Sequence, residues 1–205
     1  FDPTSQSSSS PTTLSNDNEG VLGGRNLAFG SGSYDLSTLS YDRLLFVARE
    51  KLSFTGDLVF SVGQSSNVET ELLLLSAGGI SFAPQTSIAY QGNSLGLGSF
   101  DAVEVVDVDL YAVDEISIRS LDRVVLNNVS LKTSGNGVHD AIELLAHQEI
   151  AVDNLIFNEN IKRIAMEAQT VNLSNLNFPN GSEVKLNSAY GAIDGKYPNF
   201  NNIMW

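Results

Sequence analysis

The feature that most limits what this chain can fold into is a register of short apolar triplets that recurs along most of its length. In each triplet two apolar residues flank a third of freer character. One set opens at Leu44, Leu72, Leu95, Ile116, Ile142, Ile164 and Val184. A second opens at Leu52, Ile80, Val103, Val124, Ile150 and Val171, 8 residues after the first set in five coils and 7 in the sixth. A third opens at Leu58, Ile88, Val108, Val129, Leu155 and Leu176, and in the last four coils it trails the second by 5 residues. Within a triplet the first and third side chains share one face, which is the period of a strand. Three such strands and three bends make a coil of roughly 20 to 28 residues that can stack on copies of itself at about 4.8 Å. The fold expected is all-β: a right-handed three-sheet parallel β-helix, a solenoid of about seven coils, its hand set by the rule for parallel crossovers.

The core of such a solenoid can be read directly. One inward ladder runs Phe46, Leu74, Leu97, Ile118, Leu144, Met166, Leu186, and another Phe54, Phe82, Val105, Leu126, Val152, Leu173. The third runs Phe60, Tyr90, Leu110, Leu131, Phe157, Phe178. At about 1.5–3 kcal/mol per buried large side chain, these ladders should dominate stability. Between the second and third strands lie Asn127-Asn128, Asp153-Asn154 and Ser174-Asn175, residues that tolerate the left-handed backbone of a sharp corner and can bond along a stack. A leucine-rich horseshoe would need helical segments and a different signature, and a β-sandwich would not hold one register through six coils.

Four regions follow: a Ser/Thr-rich extension at 1–20, a cap or partial coil at 21–43, the parallel β-helix at 44–193 and an apolar tail at 194–205. The net charge of −13 opposes partners that are nucleic acid or anionic membrane, since phosphate contacts need clustered Lys and Arg. No cysteine is present, so disulfides and thiolate chemistry are excluded. The chain has no apolar run long enough to insert into a membrane. It opens on Phe1 rather than Met, as a processed secreted product or a module of a larger surface protein would.

Chemistry, if present, is expected in the two long returns from third strand to first, Ser61 to Glu71 and Lys132 to Ala141. The second carries Lys132, Asn136, His139 and Asp140, which are the ligand-loop candidates, with His147 close behind. A Gly-Asn-Gly loop holding a His and an Asp is equally an ordinary surface turn. The acidic stretch Asp101, Glu104, Asp107, Asp109, Asp114, Glu115 reads as a solvated face, with calcium as the lesser reading. No catalytic set, metal signature or cofactor fingerprint is assigned. Three sequons, at Asn128, Asn172 and Asn180, are what chance supplies in a chain this rich in Asn and Ser.

The rungs IELLAHQEIAVDNLIF and IAMEAQTVNLSNLNF, closed by NGSEVKLNSAYGAIDG, resemble the pectin-lyase-like superfamily of right-handed parallel β-helices. Within it the chain is more similar to bacterial surface proteins of the filamentous-haemagglutinin type than to the polysaccharide-cleaving enzymes. Those enzymes gather carboxylates or basic groups along one sheet. Here the outward positions Ser53, Ser81, Glu104, Val125, Ala151, Asn172 and Val59, Ala89, Asp109, Ser130, Ile156, Asn177 do not. The resemblance implies a secreted structural solenoid, extracellular or at a bacterial cell surface, forming a filament, surface assembly or adhesin by head-to-tail self-association. Its assembly candidates are Phe1, Pro3 and Leu14 at one terminus and Tyr197, Phe200, Ile203, Met204 and Trp205 at the other. The alternative is a carbohydrate-binding or carbohydrate-cleaving β-helix domain, drawing a glycan partner onto exposed aromatics among Tyr34, Tyr41, Phe100, Tyr111 and Tyr190.

Overall fold

The computed structural model describes residues 19–37, 41–62, 70–188 and 193–195. The terminal candidates Phe1, Pro3, Leu14, Tyr197, Phe200, Ile203, Met204 and Trp205 lie outside these residues, as do Tyr190 and most of the first long return. Among the described residues every regular element is a strand. The first layer holds β1 (Glu19–Phe29) and β2 (Gly32–Asp35), the second β3 (Arg43–Phe54) and β4 (Asp57–Ser61). The third holds β5 (Glu71–Ser76), β6 (Ile80–Phe82) and β7 (Thr86–Tyr90), and the fourth β8 (Ser94–Ser99) and β9 (Val103–Tyr111). Then come β10 (Glu115–Ser120) with β11 (Arg123–Lys132), and β12 (Ala141–Ala146) with β13 (Glu149–Phe157). The last two layers hold β14 (Arg163–Ala168) with β15 (Thr170–Ser174), and β16 (Glu183–Ser188) with β17 (Ile193–Gly195). Strands pair in parallel with their equivalents one layer away, giving a β-solenoid of about seven turns.

The first two sheets keep the register expected from the triplets. Leu44, Leu72, Leu95, Ile116, Ile142, Ile164 and Val184 pair in sequence down the first sheet. Leu52, Ile80, Val103, Val124, Ile150 and Val171 do so down the second. Their inward neighbours are buried at nearly every layer, Phe82 being only half-buried. The ladders also extend below Leu44: Leu22 pairs with Phe46 and Phe29 with Phe54, so β1 completes a layer of its own. Phe29, Phe54 and Phe82 stack at centroid spacings of 5.5 and 5.3 Å, and Tyr34 stacks on Phe60 at 5.0 Å.

The third sheet departs from the expected register by two residues at one layer. The apolar pattern sets Ile88 beside Val108, whereas Ile88 pairs with Leu110 and Thr86 with Val108. The bends explain the shift. Gln85, Asp107, Asn128, Asn154 and Asn175 all have positive φ, between 51 and 59°, and the residue after each (Thr86, Val108, Val129, Leu155, Leu176) is buried. Aligning the left-handed corners outweighs aligning the apolar residues, because a misplaced corner would break the ladder on both sides. Thr86 therefore occupies an interior position, 1% exposed, and its hydroxyl donates to the Ala83 carbonyl at 2.7 Å. The same shift sets Tyr90 level with Ala112, a large residue above a small one, and both are buried. The corners also bond along the stack, with Asn128 donating to Asp107 at 2.5 Å and Asn154 to Asn128 at 2.8 Å. Asn175 turns instead to Asp153, at 2.7 Å.

Two outcomes test this packing. Ala112→Leu should cost about 1–3 kcal/mol in denaturant unfolding, since the added volume meets the Tyr90 ring. Burial pushes the Tyr90 hydroxyl up to about 12, against the bond from Thr70, which lowers it. The group ionises first in the unfolded chain, so stability is intact below about pH 10 and is lost as pH rises toward 12. Tyr90→Phe should remove that part of the alkaline slope, read from thermal midpoints across the range.

Candidate functional site

The long return after β11 is pinned to the wall of the solenoid from below and above. Asp114, in the layer beneath, is buried and takes the backbone N–H groups of His139 and Asp140 on one oxygen, at 2.6 and 2.7 Å. Asp140 is fully buried with φ of 43°; it accepts the Gly135 N–H at 3.0 Å and the Lys162 ammonium from the layer above at 2.7 Å. Asn158 closes the other side, accepting from the Thr133 N–H at 3.1 Å and donating to the Thr133 carbonyl at 2.6 Å. Gly137 passes so close that an added Cβ would stand 2.2 Å from a carboxylate oxygen of Asp114. A chain that returns slowly over ten residues thus has its polar groups satisfied by two desolvated carboxylates.

This arrangement separates the candidates picked from sequence. Asp140 faces inward, with both carboxylate oxygens engaged. Lys132 pairs with Asp109 at 3.6 Å on the third sheet, while Asn136 and His139 are exposed on the outer side of the loop. Lys162 and Asn158, which bind the loop from the next layer, carried no signal in the sequence, because their role depends on a partner 22 to 25 residues earlier. Beside the loop, the hydroxyls of Ser130 and Thr133 are buried without a hydrogen-bond partner.

The acidic stretch is distributed rather than gathered. Glu104 pairs with Arg123 at 3.1 Å, Asp107 accepts from Asn128, Asp109 faces Lys132 and Asp114 holds the loop. Glu115 is half-buried, and that burial, reinforced by Glu143, raises its carboxyl above the usual range. Among the described residues no three His, Cys, Asp or Glu side chains gather as a metal-holding group. Of the sequon asparagines, Asn128 is bonded in the corner stack and Asn172 donates to Glu149 at 2.7 Å, while Asn180 is exposed.

A second feature was not visible in the sequence. Along the corner between the first and second sheets runs an open groove of about 800 Å³ with an almost wholly apolar lining. Outward residues of the first sheet form its floor, with Leu75 leaning over Gly98, whose added Cβ would stand 2.7 Å from that leucine. Phe100 and Leu121, the residues that turn each corner after Ser99 and Ser120, stand along it 69% and 60% exposed. Leu145, 38% exposed, continues the line one layer on. Of the aromatics weighed for glycan contact, Tyr34, Tyr41 and Tyr111 are half-buried, with Tyr34 donating to the Gly30 carbonyl at 2.6 Å. Phe100 alone among the described ones lies open in the groove.

No family model, no curated protein and no solved structure matches this chain.

Asp140→Ala should free the Gly135 N–H and the Lys162 ammonium together. The expected loss is about 1–3 kcal/mol of stability, with faster amide exchange confined to residues 133 to 140. An unchanged exchange pattern would mean that the loop is held by its backbone alone.

Proposed function

We propose that this chain is a secreted structural β-solenoid, a subunit of an extracellular filament, surface assembly or adhesin, that associates through its open ends. The observation that carries the reading is the pair of end layers, in which a strand ladder is seen on one face. Among the described residues the strand pairing of β1 is with β3 and that of β16 is with β14. β1 runs for 11 residues, and a strand of that length in an end layer can template pairing with another chain. The faces at the two ends have the same parallel polarity, so a second copy placed end to end would continue the stack as one more layer. Contacts of that head-to-tail kind propagate when they do not close into a ring. The terminal candidates Phe1, Pro3 and Leu14 precede the first edge in the chain, and Tyr197 through Trp205 follow the last. The finer resemblance to filamentous-haemagglutinin-type surface proteins belongs to this proposal, as does secretion.

The acidity of the chain sets a condition. Copies carrying −13 repel one another, and added salt screens that repulsion over a Debye length of about 8 Å near physiological ionic strength. Raising salt at constant protein concentration should therefore move the chain from monomer to ordered fibres. Size-exclusion chromatography and electron microscopy would show this, and deletion of residues 1–18 should shift the threshold. A strictly monomeric chain at all salt concentrations would sink the reading. Specific hits on a glycan array would then favour the carbohydrate-binding alternative.

A further inference from the structure

We propose that the outer face of the first sheet, over β1, β3, β5 and β8, is the contact through which two copies of this chain pack side by side. The contact lies on the wall of the solenoid, so it goes beyond end-to-end association and does not depend on it.

The strands themselves carry the first observation. The central residues pointing away from the core are Val21, Leu45, Val47, Leu73 and Leu75, together with Gly23, Gly96 and Gly98, stacked layer on layer. β3 and β5 therefore contain LLFVA and LLLL, with no alternation. An unbroken aliphatic run marks a parallel strand covered on both faces, whereas a strand with one wet face alternates. Further along the same sheet β10, β14 and β16 do alternate, as EISIRS, RIAMEA and EVKLNS. Leu45, Val47, Leu73 and Leu75 are nonetheless half-exposed, and they are not among the partly buried residues packed on the core.

The face is also flat. Leu73 folds over Gly96 and Leu75 over Gly98, where an added Cβ would stand 2.4 and 2.7 Å from the leucine methyls. That leaves no slot for an inserted chain, but a smooth aliphatic surface is what another sheet packs against, at about 10 Å. None of these side chains is an aromatic ring on which a sugar could stack, and the net charge of −13 opposes an anionic membrane.

Charge selects a second copy and its orientation. Past the apolar half, the central outward columns carry Arg119, Glu143, Glu167 and Lys185, while along the edge Arg43 is tied to Glu19 and Glu71. The wall is thus far better balanced than the acidic chain as a whole. A two-fold axis parallel to the solenoid axis sets apolar half on apolar half and exchanges the two central columns. Arg119 then comes within one layer of the second copy's Glu143, and Glu167 within one layer of its Lys185. From β1 to β16 the wall measures about 20 by 34 Å, roughly 700 Å², near the ~800 Å² per partner of a standard interface. A reversed copy centred on the apolar half would cover only about half of that area and leave the charges unmatched.

Light scattering coupled to size-exclusion chromatography, at salt just below the onset of any fibres, tests the contact. The full chain should pass from monomer to dimer, and no further, as concentration rises. Leu45→Lys/Leu73→Lys changes two outward positions, and circular dichroism would confirm that the solenoid persists. It should weaken the dimer about a hundredfold, since a lysine facing a dry sheet must give up its water. Leu45→Thr/Leu73→Thr keeps strand preference and should weaken it about tenfold, which serves if lysine unfolds the chain. Asn187→Cys introduces a single thiol into this cysteine-free chain, and spin labels there should lie within about 25 Å of each other across the dimer. A chain monomeric at every concentration would overturn the proposal. So would a dimer indifferent to both double variants, whose contact must lie elsewhere, and so would labels about 50 Å apart, which mean a reversed copy. End-to-end association is read separately, from fibres at higher salt, and neither result there alters this one.

Discussion

In-register stacking of parallel strands is the constraint from which the rest of this molecule follows. A layer can bond to the next only if its residues sit at matching heights, so each side chain is forced above an equivalent one about 4.8 Å away. Apolar side chains repeat inward as Phe29, Phe54 and Phe82 or as Ile116, Ile142 and Ile164. Corner residues must repeat too, which is why positive φ recurs at Gln85, Asp107, Asn128, Asn154 and Asn175. Charges obey the same geometry. Stacking like on like would cost, and the chain instead sets Arg43 between Glu19 and Glu71, and Arg119 beside Glu143.

Where the chain leaves this regularity, the departures are held by polar groups that the regular layers do not need. The return of residues 133–140 rests on Asp114 and Asp140, two carboxylates withdrawn from water and engaged by backbone N–H groups and Lys162. Their burial is compensated by those bonds, which converts potential reactive groups into structural ones. Two further features stand apart from the regular layers. These are the end layers, at β1 and β16, and the apolar strip along the first corner.

Much of this was legible beforehand, and the failures have physical causes. Triplet alternation marked the inward ladders because a half-buried strand has period two. It could not mark Thr86 as an interior residue, since a hydroxyl breaks the apolar pattern while finding its partner in the Ala83 carbonyl of its own turn. Asp140 was picked out by residue type, but its engagement with Asp114's layer below and Lys162's layer above is a contact between coils. The groove was hidden for a related reason. Phe100, Leu121 and Leu145 are separated by 21 and 24 residues, and each alone is an unremarkable surface residue.

By itself the sequence determined the architecture: all-β, three strands to a coil, two of the three sheets in the register read from Leu44 and Leu52 onward, and sharp Asn- and Asp-lined corners. It could do so because those properties are set by periodicities within about 30 residues and by local backbone preference. Only the tertiary structure decided the two-residue shift at Thr86, the inward turn of Asp140 and the joining of Phe100, Leu121 and Leu145 into one strip. Each depends on what lies directly above and below in the stack. That neighbour is about 20 to 28 residues away along the chain and one strand spacing away in space.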